Sequence, residues 1–188
     1  MGVTINHKLG QYKPLVKSTL DNAQALAERY QSQAKQIGIP FEIRRLAENT
    51  LYIDIGNCET LAFDFKTPKQ LTADKQKSDY SYQWAVLTHN GKKELDEGYR
   101  FEEFPKNEKT YSADFCKTQF SKSLAEHRFV AEIIRAVAGR CFYAEVNDEG
   151  DYYHTGKIGD AKDAIEENGK LIASIGDMLS DNGWNTIK

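Results

Sequence analysis

The densest run of residues able to do chemistry is Asn147, Asp148, Glu149, Gly150, Asp151, Tyr152, Tyr153 and His154, which places three carboxylates and an imidazole within eight residues. Carboxylates this crowded can hold a hard divalent cation, or divide the roles of general acid and general base with the histidine. A calcium loop of the EF-hand type needs ligands at alternate positions, then glycine and a distal glutamate, and this run does not supply them, so no metal is assigned. The same residues also read as an acidic turn, with Gly150 taking a positive φ and the carboxylates in water or on backbone amides.

Two further positions carry reactive groups. His127 lies three residues before Val130 and seven before Ile134, on or beside the apolar stripe of a helical segment. It is a base or a ligand there, or a buried imidazole donating to a carbonyl or carboxylate. Cys116, just before that segment, is a nucleophile only if the fold brings a histidine to it. Lys117, Thr118 and Gln119 at the helix entrance could present amides and a hydroxyl to an anion, whereas a plain N-cap role for Thr118 is the simpler reading. Thr155, Gly156 and Lys157 resemble the end of a phosphate loop, but Asp151 stands where its first glycine is required and Ile158 where its hydroxyl is required. HExxH, paired CxxC, GxSxG and GxGxxG patterns are all absent, and no cofactor is indicated.

Composition narrows the class. The chain has 188 residues, 25 Lys plus Arg against 28 Asp plus Glu, 40% apolar and 11% aromatic residues. That is one domain over 1–188 with ample core material, and no apolar run approaches the length of a membrane span. A net charge of -3 does not suggest a nucleic-acid binder. Tyr80, Tyr82 and Trp84 stand near Lys75 and Lys77, as a base-stacking track would, but Asp74 and Asp79 are interleaved. The charge is uneven: residues 1–45 carry seven basic against three acidic side chains, and residues 147–181 nine acidic against three lysines. Either the first and last helices complement one another, or the acidic end docks a basic partner. Cys58, Cys116 and Cys141 form an odd, widely spaced set that reads as reduced thiols of a cytoplasmic protein. The opening MGVTINHKLG lacks a secretory pattern, and Asn6 replaces the hydroxyl residue that N-myristoylation requires.

The elements that must position these groups follow from periodicity. Residues 1–14 read as a polar leader. A helix then opens at Ser18 and Asp21, read as a capping box, and carries Leu20, Ala23, Leu26, Ala27, Tyr30, Ala34 and Ile37 to a stop at Gly38 and Pro40. Period two follows in Phe41 and Ile43, in Leu51, Ile53 and Ile55, and in Leu61, Phe63 and Phe65. A three-residue turn at Gly56, Asn57 and Cys58 would set Ile53 against Leu61 and Leu51 against Phe63. Residues 66–79, containing Pro68, read as a connecting loop. Tyr80 to Val86, an Asn90-Gly91 hairpin returning Leu95, then Tyr99, Phe101 and Tyr111 to Phe115 extend the strands, interrupted at Pro105. A central helix spans Phe120 to Val137, buried on more than one side and ended by Gly139; a strand from Cys141 to Val146 and a last helix from near Asp160 complete the chain. The expectation is an α+β domain, an antiparallel sheet of about five or six strands with an N-terminal helix, a buried central helix and a C-terminal helix mainly on one face.

The function these readings favour is a cytoplasmic, non-catalytic protein of a prokaryote or its phage. It would recognise a protein or small ligand through Asp148, Glu149, Tyr152, Tyr153 and His154 together with Lys117, Thr118 and Gln119. The alternative is a small hydrolytic enzyme using His127 with Asp148, Glu149 or Cys116 in a cleft between sheet and helix. A homodimer through the last helix or an exposed strand edge is compatible with either.

Overall fold

The structure, a computed structural model, describes residues 3–74, 108–118 and 124–157, together with positions 159, 162, 166 and 170. Within them the fold is α+β, with antiparallel pairing throughout. In chain order the elements are β1 (Thr4–Tyr12), α1 (Lys13–Gln36), β2 (Phe41–Ala47), β3 (Thr50–Ile55), β4 (Leu61–Asp64), α2 (Pro68–Asp74), β5 (Lys109–Lys117), α3 (Leu124–Ala138), β6 (Tyr143–Asp148) and α4 (Tyr152–Thr155). The readings over 80–101, Pro105, Gln119 and the apolar stripe of the last helix fall outside the described residues. Of that last stretch, the described positions Gly159, Lys162, Glu166 and Lys170 are helical and exposed.

Among the described residues the strands form two three-stranded sheets, ordered β5-β1-β6 and β2-β3-β4, and not the single sheet expected. They meet along β4 and β5, where Glu59 donates to the Lys117 carbonyl at one end (3.0 Å) and Lys66 and Tyr111 exchange two backbone bonds at the other (2.9 and 2.8 Å). Between these points the Asp64 N–H is taken by the Ser112 hydroxyl (3.0 Å) instead of a carbonyl, which interrupts the ladder.

The N-terminal leader is a correction. Residues 4–12 form the middle strand of the first sheet, Ile5 pairing with Cys116 on one side and with Asp148 on the other. Polar character hid this strand, because its polar side chains are buried against partners. The Lys8 ammonium meets Glu145 at 2.7 Å. The Gln11 amide donates to Thr19 (3.1 Å) and to the Arg140 carbonyl, while its oxygen accepts from the Tyr12 N–H (2.8 Å). Buried polar groups persist when they are bonded in this way.

Both corrected helix starts carry a proline in the first turn, Pro14 and Pro68, of which Pro68 reads by sequence as a loop signal. Helix α1 opens at Lys13 with Pro14 in its first turn, so Ser18 lies inside the helix and its hydroxyl donates to the Leu15 carbonyl (3.0 Å). The loop reading of 66–79 gives way, over Pro68–Asp74, to helix α2. There Thr67 and Gln70 make a capping box: the Gln70 side chain accepts from the Thr67 N–H (2.8 Å) and the Thr67 hydroxyl accepts from the Gln70 N–H (3.3 Å). Proline at the first helical position loses no needed hydrogen bond and has the right φ already set.

Helices α1 and α3 pack on the face that carries Ile5, Leu9, Leu51, Ile53, Leu61 and Phe63, all fully buried. From α1 come Leu20, Ala23, Ala27, Tyr30 and Ala34, and from α3 Phe129, Val130, Ile133, Ile134 and Val137. Each large side chain removed from water contributes about 1.5–3 kcal/mol, so this layer is the main stabilising term. Ile53 pairs with Leu61 and Leu51 with Phe63, the register expected for the three-residue turn. Gly56 in that turn has φ +55°, and a Cβ there would collide with the Glu126 carboxylate of α3. Helix α3 starts at Leu124 and stops at Gly139, whose N–H still bonds the Arg135 carbonyl. The other face of the first sheet buries Tyr12, Tyr111, Phe142 and Tyr143 with Leu71 of α2.

Candidate functional site

The expected residues converge at one end of the first sheet. Asp148 ends β6, Thr118 follows β5, and His127 projects from the first turns of α3. The Thr118 hydroxyl lies 2.7 Å from His127 Nδ1, and His127 Nε2 stands 3.3 Å from Asp148 Oδ2. The latter is an electrostatic contact whose alignment falls short of a good hydrogen bond. The Thr118 hydroxyl also lies 3.3 Å from the Val3 carbonyl, so its one proton is shared between that oxygen and the ring according to the tautomer of His127. The chain Thr118, His127, Asp148 is sealed, with Thr118 and His127 fully buried and Asp148 5% exposed.

Asp148 is held further by the turn it begins. Oδ1 accepts from the Gly150 N–H (2.8 Å) and Oδ2 from the Tyr153 N–H (2.7 Å). Burial pushes its carboxyl upward, but His127 and these two amides outweigh that and hold it below the ordinary aspartate value. The positive φ expected at Gly150 belongs to Asp151, at 57°. Gly150 is needed for a different reason: a Cβ there would stand 2.8 Å from His127 Cε1 and 2.9 Å from Nε2. Gly150→Ala should therefore cost about 1–3 kcal/mol in urea unfolding by displacing a packed ring. Gly159→Ala, where a Cβ meets nothing within 4 Å, should stay near wild type. Equal stability of the two variants would refute the packing argument.

A second set of contacts fixes α4 to α3. Glu132 accepts from the hydroxyls of Tyr152 (2.6 Å) and Tyr30 and from Arg128 Nε (3.1 Å). Burial raises the Glu132 carboxyl, and these donors together bring it below its usual value. Arg135 donates to the carbonyls of Tyr152 (3.2 Å) and Tyr153 and lies over both rings, 5.8 and 5.3 Å from their centroids. Glu132 and Arg135 were not singled out from the sequence, and Tyr30 only as part of the apolar stripe of the first helix. The Arg128–Glu132 spacing of four was visible, but it carries no sign of the tyrosines that arrive from α1 and α4.

The remaining expected residues separate. Glu149 is exposed and accepts from the Thr4 N–H at 2.9 Å. Tyr152 is buried, Tyr153 half-buried and His154 exposed. Lys117 pairs with Glu59 at 3.1 Å. The Thr118 hydroxyl lies against His127 and its N–H bonds the Val3 carbonyl (2.9 Å); the stretch between Thr118 and Leu124 falls outside the described residues. Cys116 does not face His127: its thiol donates to the Glu59 carbonyl at 3.0 Å. A hydrogen bond with Cys58, then burial, raise the Cys116 thiol well above its usual value, the wrong direction for a nucleophile. Among the described residues no set of three or more His, Cys, Asp or Glu is placed to hold a metal ion.

The order hydroxyl, imidazole, carboxylate is that of acyl-transfer relays, but here the Thr118 and His127 side chains are fully buried. In this arrangement the network braces β5, α3 and β6 against one another. Open space lies behind the turn, in a pocket of about 420 Å³ lined by Arg135, Gly139, Glu145, Val146, Tyr153 and His154 among others. No helix among the described residues is long and apolar enough to cross a membrane. No protein family matches the chain, and neither a curated protein nor a solved structure shows significant similarity to it.

Proposed function

We propose that this chain is a cytoplasmic binding or regulatory protein that recognises a protein or small ligand through the turn after β6. The observation that carries this reading is that segment 148–154 is rigidly held from beneath, while Glu149, Asp151 and His154 remain exposed at its surface beside the pocket under Tyr153. A braced loop loses little conformational entropy when it binds, which favours affinity. Exposed carboxylates on such a loop suit a partner that offers cations or N–H donors. The three unpaired cysteines agree with a reducing compartment.

Asp148 and Tyr152 are buried in the brace, so replacing them tests stability and not recognition. The discriminating variant is Glu149→Gln, Asp151→Asn, His154→Ala, in which Asn keeps the tolerance of a positive φ at position 151. With a photo-crosslinking residue at position 157, exposed and next to the turn, the parent protein should give a discrete adduct in extract of its source cells. The triple variant should lose at least about tenfold of that adduct, corresponding to about 1.4 kcal/mol of binding, with its melting temperature unchanged. An undiminished adduct in the triple variant would refute recognition through this surface.

A further inference from the structure

Cys58 and Cys116 come from opposite sides of the seam where the two sheets meet, one in the β3–β4 connection and the other near the end of β5. Glu59, the residue after Cys58, donates its N–H to the carbonyl of Lys117, the residue after Cys116 (3.0 Å). The Cys116 thiol lies 3.0 Å from the Glu59 carbonyl. The two thiols are near enough that Cys58 raises the Cys116 thiol, and both are free. Access is unequal: Cys58 is half-exposed, whereas Cys116 is fully buried and Cys141 is 4% exposed. A partly accessible thiol with a second thiol buried behind it is the arrangement of a peroxidatic and a resolving cysteine.

We infer that Cys58 and Cys116 form a reversible intramolecular disulfide, driven by a hydroperoxide, that locks the seam between the two sheets. The Cys58 thiol gives up its proton and its sulfur, as thiolate, attacks one oxygen of hydrogen peroxide; the O–O bond breaks, Cys58 becomes a sulfenic acid, and the hydroxide released takes up that proton and leaves as water. The Cys116 sulfur then attacks the Cys58 sulfur, the S–O bond breaks, and the hydroxide released takes up the Cys116 proton as a second water. The thiol pair is oxidised by two electrons and the peroxide reduced by two; a dithiol reductant reverses the step. The lock falls next to the sealed network, since Thr118 lies two residues beyond Cys116, and Gly56, two residues before Cys58, lies against Glu126 of α3. Oxidation would therefore clamp the strand end that carries Thr118. This inference is independent of the binding reading and goes beyond it.

The experiment treats the full chain with a few equivalents of hydrogen peroxide, unfolds it in acid, and reads mass and free thiols. The expected product has lost two hydrogens, and its thiol count falls from three to one. Peptide mapping should join Cys58 to Cys116, and dithiothreitol should restore the starting mass. A chain cross-linked across this long loop should also melt on the order of 10 °C higher. Cys141→Ser should behave as the parent, falling from two thiols to none, while Cys58→Ser should form no intramolecular disulfide. A disulfide involving Cys141, a disulfide between two chains, oxygen addition without loss of hydrogen, or retention of all three thiols would each overturn the inference.

Discussion

Asp148→Ala is expected to lower stability by about 1–3 kcal/mol for each of two buried backbone amides, those of Gly150 and Tyr153, that lose their acceptor. The Gly150 and Tyr153 amides and the Nε2 edge of His127 would be left facing a methyl group inside a sealed site. Against a typical total of about 5–15 kcal/mol this is a large fraction, and at the upper end the variant would be partly unfolded at 37 °C. Asp148→Asn, which keeps an acceptor but not the charge, should lose about 1–3 kcal/mol. The pH dependence gives an independent check. Since the folded carboxyl titrates below the unfolded value of about 3.9, its contribution is complete above about pH 4 and is lost as pH falls through the folded value. Guanidinium unfolding of wild type and Asp148→Asn at several pH values measures both effects. An Asn variant that keeps wild-type stability at pH 7 would show that the carboxylate is not needed there.

The second large effect belongs to His7, in the middle strand of the first sheet. Its ring is 1% exposed, packs 5.2 Å from the Phe63 ring, and has no well-formed hydrogen bond at either nitrogen. Burial lowers its pKa from 6.5 to about 4, and an interaction with the Ala62 backbone offsets this only in part. Above the unfolded value the ring is neutral in both states, so no stability is lost. As pH falls from 6.5 toward 4 the unfolded chain takes up a proton that the folded chain refuses, and stability declines by about 1.4 kcal/mol per pH unit, about 3 kcal/mol in all. His7→Leu removes the titrating group from an apolar site, so its stability should be nearly flat across that window. If His7→Leu and wild type decline in parallel between pH 6.5 and 4, the buried neutral histidine is not the cause. The window lies above that of Asp148, which separates the two effects in one titration series.

Both residues show where sequence reading succeeds and where it stops. Asp148 stood out because carboxylates crowded around a glycine are a local signal. His7 did not, because a polar residue in a polar segment gives no sign of burial when its partners lie more than fifty residues away. Cys116 was weighed as a nucleophile on its type alone, and its contacts with Cys58 and Glu59 exist only after β4 and β5 meet. The Thr118 hydroxyl fits a helix cap and a buried partner equally well by type, and only position in space brings it to His127.

What the sequence determined by itself is set by periodicity and punctuation. The apolar stripe of α1 after Leu20, the buried faces of α3 and the Leu51/Phe63 and Ile53/Leu61 register are each dictated by which residues a single element must hide from water. The tertiary structure alone decided that Thr4–Tyr12 is a central strand, that β4 and β5 join two sheets edge to edge, and that Thr118, His127 and Asp148 meet. Strand pairing and buried polar bonds depend on which distant groups arrive together, and a local pattern specifies that a face is buried without specifying what buries it.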